Sequence, residues 1–184
     1  RRISFQTGEE GPRAVSRRLR FRGEHRLKVD GKGRMSIPAS FRRVLEAGDP
    51  DWEKDSKDNG NPGFVMVYGN PRLPYLECYT VEEMERIEDR IDAMKSGERK
   101  RMLSKIYSSG SVNASVDDTG RIVIPAKLRG RYGIDGETYA VASLNKFQIW
   151  AADRYQPTDA IEEDDLMDEL PEDPMEWLDE AEEV

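Results

Sequence analysis

Along residues 24 to 30 polar and apolar side chains alternate, with Leu27 and Val29 on one face and Arg26, Lys28 and Asp30 on the other. A period of two predicts a strand. The alternation breaks at Asp30-Gly31-Lys32-Gly33 and resumes through Met35 and Ile37. Glycine supplies the positive φ of a tight turn and aspartate accepts local backbone N–H groups, so the break reads as a hairpin. Pro38 then fixes φ near a first helical value and offers no donor to a ladder, which predicts a short helix over 39 to 45, ending near Gly48. Strand-like runs follow at 64 to 68 and 76 to 79. Past Thr80 the period changes. Met84, Ile87, Ile91 and Met94 recur at spacings of 3, 4 and 3, one apolar stripe on a helix reaching Ser96, with Thr80 and Glu83 spaced as a capping box. Gly97 interrupts it, and Met102, Leu103, Ile106 and Tyr107 mark a second helix before a serine-rich break at 108 to 111.

The pattern then begins again. Residues 29 to 42 read V-D-G-K-G-R-M-S-I-P-A-S-F-R and residues 116 to 129 read V-D-D-T-G-R-I-V-I-P-A-K-L-R, eight of fourteen positions being identical at a constant offset of 87. Two copies make a pseudo-symmetric pair rather than a solenoid. Strand runs at 139 to 142 and 147 to 150 answer those of the first copy. The polar loop from 48 to 63 has little counterpart, since 40 positions separate Pro38 from Cys78 and only 24 separate Pro125 from Ile149. A patternless stretch of that length is a functional or disordered loop.

The repeated D-x-x-G-R hairpin followed by I-P-A-x-x-R resembles the AbrB-type swapped-hairpin repeat. Two copies in one chain, with Phe21-Arg22-Gly23 before the first and Asn145-Lys146-Phe147 in the second, resemble the MraZ family of bacterial regulators of the division and cell wall gene cluster. The resemblance runs from residue 21 to about residue 155. It implies an α+β fold, mostly β, in which two interlocked swapped-hairpin repeats form a barrel with a helical pair between them. The resulting division is a basic, disordered extension at 1 to 20, copy one at 24 to 83, a helical linker at 84 to 110, copy two at 111 to 154 and an acidic, disordered tail at 156 to 184. The resemblance further implies a sequence-specific DNA-binding repressor, assembled as a ring that reads tandem direct repeats upstream of division and cell wall genes.

The net charge of −8 would argue against a DNA partner if it were evenly spread. It is not. Residues 157 to 184 hold fourteen Asp and Glu and no Lys or Arg, which leaves the rest of the chain at +6. The local field decides which partner approaches, and the body suits a polyanion. One cysteine, Cys78, and one histidine, His25, exclude a disulfide framework, a Cys/His zinc site and a His-based catalytic pair. Cys78 reads as a buried small side chain and His25 as a strand surface residue. No apolar run approaches the length of a membrane span. The expectation is a cytoplasmic, nucleoid-associated protein that is not an enzyme, with no metal, cofactor, membrane partner or small-molecule substrate.

Chemistry concentrates at Asp30/Arg34 and Asp117/Arg121. An Arg at a hairpin tip reaches phosphate oxygens or pairs bidentately with a guanine edge, while Asp caps the turn. The D-x-x-x-R motif is the part that the resemblance implicates in DNA contact, which assigns Arg34 and Arg121 to DNA and leaves Asp30 and Asp117 mainly structural. Lys32 stands at the first turn where copy two has Thr119, so the first hairpin should hold phosphate more strongly. Arg26 and Lys28 have no counterparts and are auxiliary. Arg42 and Arg129 either touch phosphates or, the preferred reading, cover the barrel with their stems. A different class stays open: an antitoxin-like protein that binds a protein partner.

Overall fold

The computed structural model describes residues 19–54, 60–157, 171 and 173–182. The expected extension at 1 to 20, apart from its last two residues, lies outside them, as do 55–59 of the long loop and much of the acidic tail. In the tail, a short helix is described at Glu176–Glu182.

The described strands are β1 (Glu24–Val29), β2 (Arg34–Ser36), β3 (Gly63–Val67), β4 (Leu76–Thr80), β5 (Ser111–Ser115), β6 (Arg121–Val123), β7 (Gly136–Ser143) and β8 (Lys146–Ala151). They form one sheet in the order β5-β3-β4-β8-β7-β1-β2-β6, curled into a nearly closed mostly-strand barrel. Among the described residues the helices are α1 (Ala39–Ala47), α2 (Val81–Asp92), α3 (Glu98–Ser104), α4 (Ala126–Tyr132) and α5 (Glu176–Glu182), with a π-helical turn at Lys105–Ser109 after α3.

The interlocking follows from who pairs with whom. Within copy one, β1 and β2 share a single residue pair, Val29 with Met35. Their remaining backbone groups are satisfied by the other copy, because β1 runs along β7 and β2 along β6, while β5 of copy two runs along β3 of copy one. Buried backbone donors and acceptors must be paired, so neither copy completes its own sheet.

The register also reveals a pseudo-two-fold axis. In the β2–β6 ribbon Met35 faces Ile122, its own counterpart at the repeat offset of 87, and the flanking pairs Arg34–Val123 and Ser36–Arg121 exchange under the same offset. Glu24 pairs with Val141 and its counterpart Ser111 with Val67, which makes Val67 and Val141 equivalent. These two face Glu77 and Gln148, which in turn pair with each other. The axis therefore passes through the β2–β6 ribbon on one side of the barrel and the β4–β8 ribbon on the other.

The interior is filled from both copies. Phe21, Phe41 and Phe147 meet with ring centroids 5.2 Å apart, and Met35, Ile122, Ile124 and Ile149 are fully buried. Each such side chain contributes roughly 1.5–3 kcal/mol relative to exposure. Cys78 is buried in the same core. His25 is not the surface residue that its polarity suggests. It shares the inward phase of β1 with Leu27 and Val29, its ring lies edge-on to Phe41 at 5.1 Å, and Nε2 is buried without a hydrogen-bond partner among the described residues. A second cluster lies outside the barrel, where α2 lays Met84 on Val65, Val67 and Tyr79 of β3 and β4, joined by Ile87, Ile106 and Tyr107. The apolar stripe thus packs on the protein's own sheet.

Two local expectations are corrected. Helix α2 ends at Asp92 rather than Ser96, its last turn tightening as Met94 N–H bonds to Ile91 O before Gly97 opens α3. The capping box is half made. Thr80 Oγ1 accepts from Glu83 N–H at 3.1 Å, but the Glu83 carboxylate accepts from Asn145 and Arg86 instead of returning to the cap.

Both turn glycines adopt positive φ, +82° at Gly33 and +79° at Gly120. A Cβ on Gly33 would stand 2.4 Å from Ile124 O, whereas one on Gly31 meets nothing within 4 Å. Gly33→Ala should therefore lower stability by about 1–3 kcal/mol or more through backbone strain and the contact, and Gly31→Ala should stay within about 0.5 kcal/mol of the parent. Urea unfolding of the two variants checks the difference.

Candidate nucleic-acid interface

Each hairpin turn is built around its aspartate. Asp30 Oδ1 accepts from the backbone N–H groups of Lys32 and Arg34, both at 2.9 Å, and Gly33 N–H bonds to Asp30 O. Asp117 repeats this with the N–H groups of Thr119 and Arg121 at 2.9 and 2.8 Å, and adds the Thr119 hydroxyl at 2.7 Å. The second carboxylate oxygen takes the arginine. Arg34 Nε donates to Asp30 Oδ2 at 2.6 Å, and Arg121 Nε donates to Asp117 Oδ2 at 3.0 Å.

The two readings of the motif are thus compatible in one geometry. The pair holds the turn through Nε, and the terminal nitrogens of both guanidiniums have no other partner among the described residues. Both arginine side chains are about 40% exposed. A guanidinium fixed at Nε keeps its two-pronged outer edge in a defined orientation, and less rotamer freedom is lost when that edge meets an acceptor pair.

The β2–β6 register brings the two motifs together. Arg34 faces Val123 and Ser36 faces Arg121, while Met35 and Ile122 between them point into the barrel. The outer face of the ribbon accordingly carries Arg34, Ser36, Arg121 and Val123, the last 54% exposed. Two residues along and one strand across puts the two arginine Cα atoms roughly 8 Å apart. Lys32 is exposed on the first turn, and the second turn has Asp118 and Thr119 instead.

The auxiliary candidates lie apart from the ribbon's arginines. Arg26 is on the outer face of β1 and pairs with Glu137 of β7 at 2.5 Å. Lys28, also exposed, is nearer: extending the Val29–Met35 register by one residue sets it beside Ser36.

Arg42 and Arg129 have a role that the sequence did not disclose. Each packs its guanidinium against the turn glycine of the opposite copy. Arg129 Nε donates to Ile124 O at 3.1 Å directly beneath Gly33, where a Cβ would come within 2.8 Å of it. A Cβ on Gly120 would likewise collide with the Arg42 guanidinium at 1.6 Å. Their identity in both copies was the available signal, but crossing between copies is visible only in three dimensions. Among the described residues no group of His, Cys, Asp and Glu is arranged to hold a metal ion, and no helix is long and apolar enough to cross a membrane.

Comparison with known proteins agrees with this architecture. A family described as MraZ protein, with an antitoxin-like character suggested in the same description, matches residues 20–105 and 108–170. A protein of Ruegeria sp. (strain TM1040) named transcriptional regulator MraZ is 48% identical over 165 residues, spanning 88% of this chain and 96% of the relative. Proteins of the same name from Cereibacter sphaeroides and Pseudomonas putida are 47% identical over 155 residues and 31% identical over 143, covering 80% and 77% of this chain and 89% and 87% of their own.

The turn geometry sets a pH dependence. Both carboxyls are held below their ordinary value of 3.8, first by the backbone N–H of the arginine and then by side-chain donors, Arg34 for Asp30 and Thr119 for Asp117. A depressed carboxyl stabilises the fold at neutral pH and loses that contribution as pH falls through its folded value. The stability gap between the parent and the Asp30→Asn/Asp117→Asn variant should therefore be widest near neutrality and shrink below about pH 4. Urea midpoints measured across that range check the trend.

Proposed function

The chain belongs to the MraZ family of transcriptional regulators, and on that premise we propose that it binds promoter DNA through the outer face of the β2–β6 ribbon. The observation that carries this reading is the pairing of two aspartate-oriented arginines, one from each copy, on one exposed two-stranded ribbon. The major groove is about 12 Å wide and admits such a ribbon, and an arginine edge matches guanine O6 and N7. Arg34 and Arg121 read bases or phosphates, with Asp30 and Asp117 orienting them. Lys32, and secondarily Lys28, neutralise phosphate beside the ribbon, and Arg26, occupied by Glu137, contributes least.

In this reading residues 24 to 83 and 111 to 154 are the two copies and 84 to 110 links them. One subunit presents only two arginines, so useful affinity needs several subunits acting on adjacent sites, where linked weak contacts multiply. That favours a homo-oligomeric ring on tandem direct repeats upstream of division and cell wall genes, acting there as a repressor in the nucleoid. Head-to-tail assembly suits direct repeats, as a two-fold dimer suits palindromes. The antitoxin-like wording of the family description supports one other reading, a protein partner held in place of DNA. A partner co-purifying in fixed ratio while promoter affinity stays at the non-specific level would favour it.

Arg34→Ala and Arg121→Ala should each weaken promoter binding by about 1–3 kcal/mol per subunit, without a matching loss of thermal stability. Arg→Lys at either site should fail to restore binding, because a lysine ammonium cannot bond Asp and present a bidentate edge together. Electrophoretic shifts on the protein's own upstream region, with unfolding curves for each variant, check this. Unchanged affinity in the double Ala variant refutes the proposal.

A further inference from the structure

The pseudo-two-fold axis matches surfaces as well as motifs. Val67 and Val141 are equivalent, as are Glu77 and Gln148, so Val65 corresponds to Tyr139 and Tyr79 to Trp150. In copy one this outer face lies beneath α2 and the π-helical turn, with Val65, Val67 and Tyr79 exposed by only 7%, 2% and 3%. In copy two Tyr139, Val141 and Trp150 stand half-buried on the outside, extended by Tyr75, whose ring lies 4.4 Å from Trp150. This is an aromatic sheet face whose twin is covered by helix.

The chain leaving β8 starts to cover it. Tyr155 stands 71 positions after Met84, the offset that relates Glu77 to Gln148, and it does what Met84 does: its ring lies 5.0 Å from Tyr139 and 5.5 Å from Trp150, and its hydroxyl donates to Glu24 at 2.5 Å. Beyond it comes α5, whose segment leaves Met175, Trp177 and Leu178 exposed by 57%, 46% and 56%. A seven-residue helix is not stable in water without a surface to pack on. The sixteen positions from Pro157 to Asp173 can span up to roughly 50 Å, more than enough to return to the barrel.

We propose that the outer face of β7 and β8 is the docking surface for the protein's own C-terminal helix, with Trp177 and Leu178 packing on Tyr139, Val141 and Trp150. The tail then supplies to copy two the cover that α2 gives to copy one. The proposal does not rest on the DNA reading.

Cysteine trapping in the full chain tests it, since the native Cys78 is fully buried. In the Val141→Cys/Leu178→Cys variant, oxidised glutathione should close an intrachain disulfide about tenfold faster or more than in Val123→Cys/Leu178→Cys, docking having raised the effective concentration. Trp177→Ser should remove the advantage. Glu137→Cys, exposed on the outer side of β7, replaces Val141→Cys if that variant fails to fold. Equal rates for the two pairs, or closure in neither, would overturn the proposal. Faster closure to Val123 would overturn it too, placing the tail on the arginine ribbon, and a purely interchain product would assign the face to a second copy.

Discussion

Antiparallel pairing between the two copies is the constraint on which the rest of the structure depends. A hairpin whose strands share one residue pair leaves most of its backbone donors and acceptors to be satisfied elsewhere, and among the described residues the matching edges belong to the other copy. Unpaired backbone groups cost roughly 1–3 kcal/mol each when buried. The two copies are therefore bound to fold as one sheet, with Met35 and Ile122 meeting at the axis. The same pairing gathers both arginines onto one ribbon, so the arrangement that closes the barrel also builds the candidate interface.

Within each turn one carboxylate does two jobs. Its first oxygen collects backbone N–H groups and fixes the turn, and its second takes Nε of the arginine. The surface ion pair adds little stability by itself; its importance is directional. A long side chain that would otherwise sample many rotamers is held with its outer nitrogens available. Beneath each turn sits the arginine of the other copy, Arg129 under Gly33 and Arg42 under Gly120, so that each turn packs on a side chain from across the exchange of strands.

Symmetry is broken where the copies differ in sequence. Copy one carries the longer loop, Lys32 in its turn and a helical layer after β4, while copy two has Thr119 in its turn and, among the described residues that follow β8, Tyr155 against the matching face. Equivalent backbone positions thus end in different environments, one face sealed by helix and the other aromatic and half-open. One scaffold thus presents two versions of the same surface in this chain.

Much of this was legible in the sequence because it is local. Alternation over 24 to 30, glycine after aspartate, proline ahead of the helix that follows each hairpin and the 3.6-residue stripe through Met84 and Ile91 each report backbone conformation within a few residues, and the repeat announced the symmetry. Other features are long-range, and a linear pattern does not encode them. That β1 lies on β7 and not chiefly on β2, that Arg129 braces Gly33, that Arg34 and Arg121 share one ribbon, and that the polar His25 faces inward against Phe41 all depend on contacts between residues far apart in the chain. The sequence alone determined the turns, the helix starts and the two candidate motifs, since these follow from φ preferences and nearest-neighbour hydrogen bonds. Only the tertiary structure decided which strand satisfies which, because that choice is made by pairing every backbone group in the sheet at once.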